Sequence, residues 1–224
     1  MLQLYVRSAL FGVEFPGRFI SEVREKLLKE LEYPTTNNPR VALLIYPKSD
    51  WNGAFASDSR MFDSLISSGY RVIYREAGDI EEAKRMLSIT VNGAKADLVV
   101  IGGHGTAMSL DLGREKLTPS RMGELFDEPT LSGIKPGGLL VFLSCSVGAG
   151  MKDANNLVNA ARQHIPTSLL PVGHVVGPTE STNFENWIFD NSGNAVDVKY
   201  TGKAETYHAS VQTRTESLRA HLVH

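Results

Sequence analysis

Two stretches of the sequence decide the fold: LVVIGGHG at residues 98–105 and LLVFLSC at residues 139–145. Each is a short run of large apolar side chains that ends in small and polar residues. Strands that are buried on both faces of a parallel sheet show this continuous apolar pattern. The two stretches therefore predict two buried strands, and a loop follows each of them at its carboxyl end.

Working outward from these strands, the sequence alternates between strand and helix patterns. Strands are predicted at residues 41–46, 70–74, 96–101, 139–143 and 168–176, with a further edge strand at 196–200. Helices are predicted at residues 58–67, 79–87 and 154–164, the second with Asp79 as its N-cap. This alternation predicts an α/β fold, a three-layer α-β-α sandwich around a mostly parallel sheet.

The length of the chain fits one domain. Its 224 residues, 42% of them hydrophobic, can bury one sizeable core and are few for two. Residues 19–31 predict an amphipathic helix, and the segment PTTNNP at 34–39 ends it. We therefore expect a helical extension over residues 1–38, packed on an α/β domain over residues 39–224.

Charge and hydropathy argue against two classes of partner. The 23 Lys and Arg residues nearly balance the 25 Asp and Glu residues, and no basic run could follow a phosphate backbone. The apolar runs are far shorter than the roughly 20 residues that span a bilayer, and the first residues lack a signal-peptide pattern. We expect no nucleic-acid or membrane partner and a cytoplasmic location.

The chemistry is expected where the two central strands end, because ligands of open α/β sheets bind beyond the carboxyl ends of strands. His104 follows one strand and Cys145, the single cysteine, follows the other. A neighbouring histidine can activate a thiol as a nucleophile and then protonate the leaving amine. The backbone N–H groups of Gly105 and Cys145 are candidates for an oxyanion hole. The alternatives are a buried structural thiol and a histidine that serves its glycine-rich turn.

An apolar strand ending in His-Gly, followed later by one ending in Cys, resembles the caspase, legumain, gingipain and separase group of cysteine peptidases. The order of elements over residues 40–190 resembles that group too. The resemblance implies a caspase-hemoglobinase-like fold and a cysteine endopeptidase that acts through a His104–Cys145 dyad and a thioester. Leu143 departs from the Gln that caspases carry two positions before the cysteine, so the resemblance does not extend to their preference for Asp.

The same resemblance points to a pocket for the substrate residue before the scissile bond. By position, its candidate residues are Asp50, Asn52 and Arg60 in the first loop and Glu180 in a later one. Arg60 favours an acidic substrate residue, whereas Asp50 and Glu180 favour a basic one, so the preference stays open. Each of these positions is also compatible with an ordinary solvated surface.

No cofactor or metal is expected, because the sequence has no dinucleotide fingerprint and no metal-ligand spacing among its six His residues. His174 is interpreted as a structural histidine within the predicted strand at 168–176. The expected partners are a peptide or protein substrate and, as a candidate, a second copy of the chain. The alternative function is a catalytically inactive caspase-like fold that binds a peptide or protein.

Overall fold

The computed structural model describes residues 40–48, 60–88 and 94–210. The predicted N-terminal extension and its helix lie outside the described residues, as do Asp50 and Asn52. Among the described residues, no helix has the length and the apolar character that crossing a membrane requires.

A six-stranded sheet forms the centre of the fold. Its strands are β1 (Arg40–Pro47), β2 (Tyr70–Ala77), β3 (Ala96–Gly102), β7 (Ile134–Leu143), β8 (Val175–Pro178) and β11 (Thr206–His208). They lie in the order β11-β8-β7-β3-β1-β2, and all neighbours are parallel except β11, which is antiparallel to β8. The α/β fold with a mostly parallel sheet, predicted from the sequence, is confirmed.

Both faces of this sheet are covered, since alternate side chains of each strand enter two different cores. In β1, Leu43 and Ile45 face one core, and Leu44 and Tyr46 face the other. Helices α2 (Ile80–Ser88), α3 (Met122–Leu125), α4 (Glu128–Leu131) and α5 (Leu157–His164) lie on the first face. Helix α1 (Arg60–Ser67) lies on the second face.

A β-hairpin shares the second face with α1. It consists of β9 (Phe184–Phe189) and β10 (Ala195–Tyr200), which pair antiparallel in a sheet of their own. Trp187 is buried against α1, and its indole N–H donates to the Met61 carbonyl at 3.1 Å. The predicted edge strand at 196–200 therefore belongs to this hairpin and not to the main sheet.

Local capping chemistry explains where two of the helices begin. The Asp79 carboxylate accepts from the backbone N–H of Glu82 at 2.8 Å, as its predicted N-cap role requires. Helix α5 starts later than predicted, because the Asn156 side chain caps it by accepting from the Asn159 N–H at 2.8 Å. The residues before Asn156 form a 3-10 turn (Met151–Asp153) instead.

The prediction of a strand at residues 168–176 was wrong over most of that range. Only its end is strand, because Pro171 cannot donate to a ladder and Gly173 turns the chain with φ +86°. His174 thus precedes β8, and its Nδ1 lies 2.9 Å from the Gly138 carbonyl oxygen. A structural role for His174 agrees with this contact.

A small three-stranded sheet, which was not predicted from the sequence, follows β3. It consists of β4 (Gly105–Thr106), β5 (Ser109–Asp111) and β6 (Lys116–Leu117), all antiparallel. Its position in the chain places it directly after His104, so it shapes the loop that carries this histidine.

The hairpin and the edge strand β11 are joined by an ion pair with a predictable pH response. His208 Nε2 lies 3.2 Å from Asp197 Oδ2, and this hydrogen bond raises the pKa of His208. Stabilisation by the pair is therefore complete below the unfolded histidine pKa of about 6.5 and is lost as pH rises through the higher folded value. Because the pair is partly exposed, its contribution should stay below about 1 kcal/mol.

We therefore expect Asp197→Asn to lower the free energy of unfolding at pH 5.5 and to have less effect at pH 8.5. Urea denaturation of both proteins at the two pH values measures the difference. His208→Gln, which removes the titrating group, is the comparison. It should also have a lower free energy of unfolding than wild type at pH 5.5 and a smaller difference from wild type at pH 8.5. An Asp197→Asn effect that grows with pH would contradict the ion pair.

Candidate active site

The register between β3 and β7 determines the geometry of the candidate site. The two parallel strands are neighbours, and Gly102 pairs with Leu143 at their carboxyl ends. His104 and Cys145 each lie two residues beyond this pair, so the chain leaves both strands at the same level. Both residues are half-buried. The structure thus brings the imidazole loop and the sulfur loop to one edge of the sheet.

The glycines before His104 are needed for packing within the protein itself. A Cβ on Gly102 would lie 2.6 Å from Cδ1 of the buried Tyr46 ring, and one on Gly103 would lie 2.6 Å from the Asp111 carbonyl oxygen. The His104 carbonyl then accepts from the Asp111 N–H at 2.7 Å. These contacts fix the path of the backbone into and out of His104.

Gly105 pairs with Leu110 across β4 and β5 in a way that leaves its N–H group pointing outward. The bond from the Asp111 N–H to the His104 carbonyl flanks this pair, which makes it a non-hydrogen-bonded pair of the ladder. In such a pair, both N–H groups point away from the partner strand. The Gly105 N–H is therefore directed away from β5, as an oxyanion-hole donor would need to be.

The loop after Cys145 turns sharply. Ser146 adopts φ +57°, a left-handed conformation that is uncommon for residues other than glycine. Its N–H donates to the Glu180 carbonyl at 3.1 Å, and its carbonyl accepts from the Ala149 N–H at 2.9 Å. Strained backbone of this kind occurs often at functional sites, and here it directly follows the candidate nucleophile.

The sulfur of Cys145 has two contacts with the loop that follows β8. The Ser181 hydroxyl donates to Sγ at 3.3 Å, and Sγ lies 3.9 Å from the Thr182 carbonyl oxygen. Sequence reasoning missed both residues, because 36 positions separate Ser181 from the cysteine and no local pattern links them.

A buried hydroxyl on the residue before Cys145 lies against the residue after His104. Ser144 is 6% exposed, and its Oγ has no hydrogen-bond partner among the described residues. It faces Gly105, where an added Cβ would collide with Oγ. A glycine at 105 is thus required by the side chain that precedes Cys145.

A groove of about 790 Å³ is lined by residues of the loops that follow β7 and β8 and by residues of and around β11. Glu180 lines the groove, and the next residue, Ser181, contacts the Cys145 sulfur. The other charged side chains along it are Lys152, Lys203 and Glu205, and Tyr207 and His208 also line it. The groove therefore presents both signs of charge.

The predicted pocket residues are only partly brought together. Glu180 lies beside the cysteine loop through its backbone, and its side chain is exposed. Arg60 is the first residue of α1. Asp97 is at the end of β3 opposite to His104, where its carboxylate accepts from the Val41 N–H at 2.8 Å. Asp97 therefore does not orient His104.

No family model matches the chain, and no curated protein matches it. Among solved structures, the chain is similar to the crystal structure of caspase-1 from Spodoptera frugiperda, with 17% sequence identity and a TM-score of 0.35. The match covers 73% of this chain and 68% of that one.

Proposed function

We propose that the protein is a cysteine peptidase in which Cys145 is the nucleophile and His104 the general acid and base. The observation that carries the proposal is the Gly102–Leu143 pair, from which both residues follow at equal distance along adjacent parallel strands. Catalytic residues of open α/β sheets lie at such carboxyl ends. The glycine contacts on either side of His104 support the proposal, because they hold its loop in one path.

In the proposed reaction, the Cys145 thiolate attacks the carbonyl carbon of a peptide bond. The oxyanion that forms accepts hydrogen bonds from the Gly105 and Cys145 N–H groups. His104 gives its proton to the leaving amine as the C–N bond breaks, which leaves a thioester on Cys145. Water, deprotonated by His104, then attacks the thioester carbonyl carbon. The C–S bond breaks, the acyl part of the substrate leaves as a carboxylic acid, and the Cys145 thiolate is restored.

We propose that a peptide or protein substrate binds in this groove. Glu180 lines it, and the adjacent residue, Ser181, contacts Sγ. Glu180 and Glu205 would attract basic side chains, while Lys152 and Lys203 would attract acidic ones. The residue preferred before the scissile bond is therefore left to a substrate screen.

A second candidate function is a catalytically inactive module that binds a peptide in the same groove. The contact of Sγ with the Thr182 carbonyl oxygen at 3.9 Å favours it, because a carbonyl accepts from a protonated thiol. An inactive module would hold this thiol as a structural group, and its reactivity would be ordinary.

The rate of iodoacetamide alkylation against pH separates the two functions. Cys145 is the single cysteine, so intact mass reports on this site alone. We expect wild type to keep its reactivity at low pH, because an imidazolium beside the sulfur favours the thiolate. The variant His104→Ala should lose this low-pH reactivity.

His174→Ala is the matched control. His174 bonds to the Gly138 carbonyl, five residues before the end of β7 and so about 16 Å from the sulfur loop. This variant should keep the wild-type profile. If wild type and His104→Ala give the same ordinary profile, the peptidase proposal is wrong and the binding module takes its place.

A further inference from the structure

The hydroxyl of Ser181 contacts the Cys145 sulfur from outside the predicted dyad. Its Oγ donates to Sγ at 3.3 Å, and the side chain is otherwise exposed to solvent. A hydroxyl that donates to sulfur interacts more strongly with a thiolate than with a neutral thiol. The contact therefore bears on the form of cysteine that reacts.

The loop that carries Ser181 is anchored on both sides of it. On one side, the Thr179 N–H donates to the Glu205 carbonyl at 3.0 Å, and Thr179 Oγ1 accepts from the Glu205 N–H at 3.1 Å. On the other side, the Thr182 hydroxyl donates to the Thr201 carbonyl at 2.7 Å. These bonds hold Ser181 over the sulfur, so the contact follows from the fold of the loop.

We propose that Ser181 is a positioning residue, whose hydroxyl holds the Cys145 sulfur in place and stabilises its thiolate. This inference rests on the proposed function, in which the thiolate is the nucleophile. It adds a hydrogen-bond donor on the side of the sulfur that the loop after β8 covers.

The Thr182 carbonyl acts in the opposite direction, since it accepts from a protonated thiol and repels a thiolate. At 3.9 Å from Sγ, however, it is at the outer limit of a hydrogen bond to sulfur. The hydroxyl at 3.3 Å is closer and can rotate to optimise its donation. The net effect of the loop therefore favours the thiolate.

The test compares the alkylation profiles of wild type, Ser181→Ala, Ser181→Thr and Thr179→Val. We expect Ser181→Ala to react about tenfold more slowly than wild type at low pH, because it loses one hydrogen bond to a charged group. Ser181→Thr keeps a hydroxyl and should retain most of the wild-type reactivity at low pH. Thr179→Val removes one of the bonds that hold Ser181 over the sulfur, so its low-pH reactivity should fall in the same direction as that of Ser181→Ala but by less.

Two results would overturn the inference. If Ser181→Ala keeps the wild-type reactivity at low pH, the hydroxyl does not stabilise the thiolate. If it reacts faster at every pH, Ser181 merely shields the sulfur. Either result leaves the proposed function standing as long as His104→Ala still loses low-pH reactivity. A loss of low-pH reactivity in Ser181→Ala with none in His104→Ala would instead retain the inference and reject the dyad.

Discussion

Replacing Cys145 with alanine should reduce peptide hydrolysis at least about a thousandfold, because removal of a nucleophile leaves only the binding and oxyanion contributions. The substrates are tetrapeptides with a C-terminal fluorogenic amide, one for each residue type before the amide bond. Wild type should cleave a subset of them. Which charge that subset carries decides between the acidic and basic preferences left open by Arg60 and Glu180.

Two controls make this loss interpretable. Cys145→Ala is a small change at a half-buried position, so its thermal denaturation midpoint should stay close to that of wild type. His174→Ala should cleave the same peptides at the wild-type rate. Cleavage that persists in Cys145→Ala would show that another group is the nucleophile, and a wild type that cleaves none of the peptides would favour the binding module.

Gly102→Ala should lower the free energy of unfolding by at least about 3 kcal/mol, at the upper end for overpacking. The added methyl would lie 2.5 Å from Cζ and 2.6 Å from Cδ1 of Tyr46. That ring cannot move aside easily, because it stacks on Tyr74 at 5.5 Å between centroids and its hydroxyl contacts Met61 Sδ at 3.5 Å. Urea denaturation measures the loss.

Gly137→Ala is the comparison for this prediction. Gly137 has φ +83° and nothing within 4 Å of an added Cβ, so its substitution costs only the left-handed strain of about 1–2 kcal/mol. The double variant Tyr46→Ala/Gly102→Ala should lose less stability than the sum of its single variants, because the clash is then absent. Equal losses for Gly102→Ala and Gly137→Ala would contradict the packing of Tyr46 on Gly102.

The core of the fold was predictable because its strands are buried on both faces. Continuous apolar runs predict central strands of a parallel sheet, and the carboxyl ends of β3 and β7 were predicted to within one residue, although β7 begins at Ile134, five residues before its predicted start. The same runs placed His104 and Cys145 at strand ends. Their alignment depends on the Gly102–Leu143 register, which lies in contacts between strands and is absent from local sequence.

The peripheral elements were harder to predict, and for different reasons. The run at 168–176 is apolar, but Pro171 and Gly173 make it a turn around the buried Leu170. The β9–β10 hairpin carried a usable signal in the turn-rich segment DNSGN at 190–194, where Asp190 accepts from the Asn194 N–H at 2.8 Å. Ser181 offered no such signal, because only the folded loop brings it to the sulfur.

The separation of His104 and Cys145 along the chain makes the candidate site a reporter of folding. The two residues come level only after β3 and β7 have paired, a contact between distant parts of the chain and therefore slow to form. On dilution from denaturant, low-pH alkylation of the single cysteine would recover with the kinetics of that pairing. The recovery of alkylation at this one thiol, measured by mass, thus reports how fast the central sheet assembles, and no label has to be introduced.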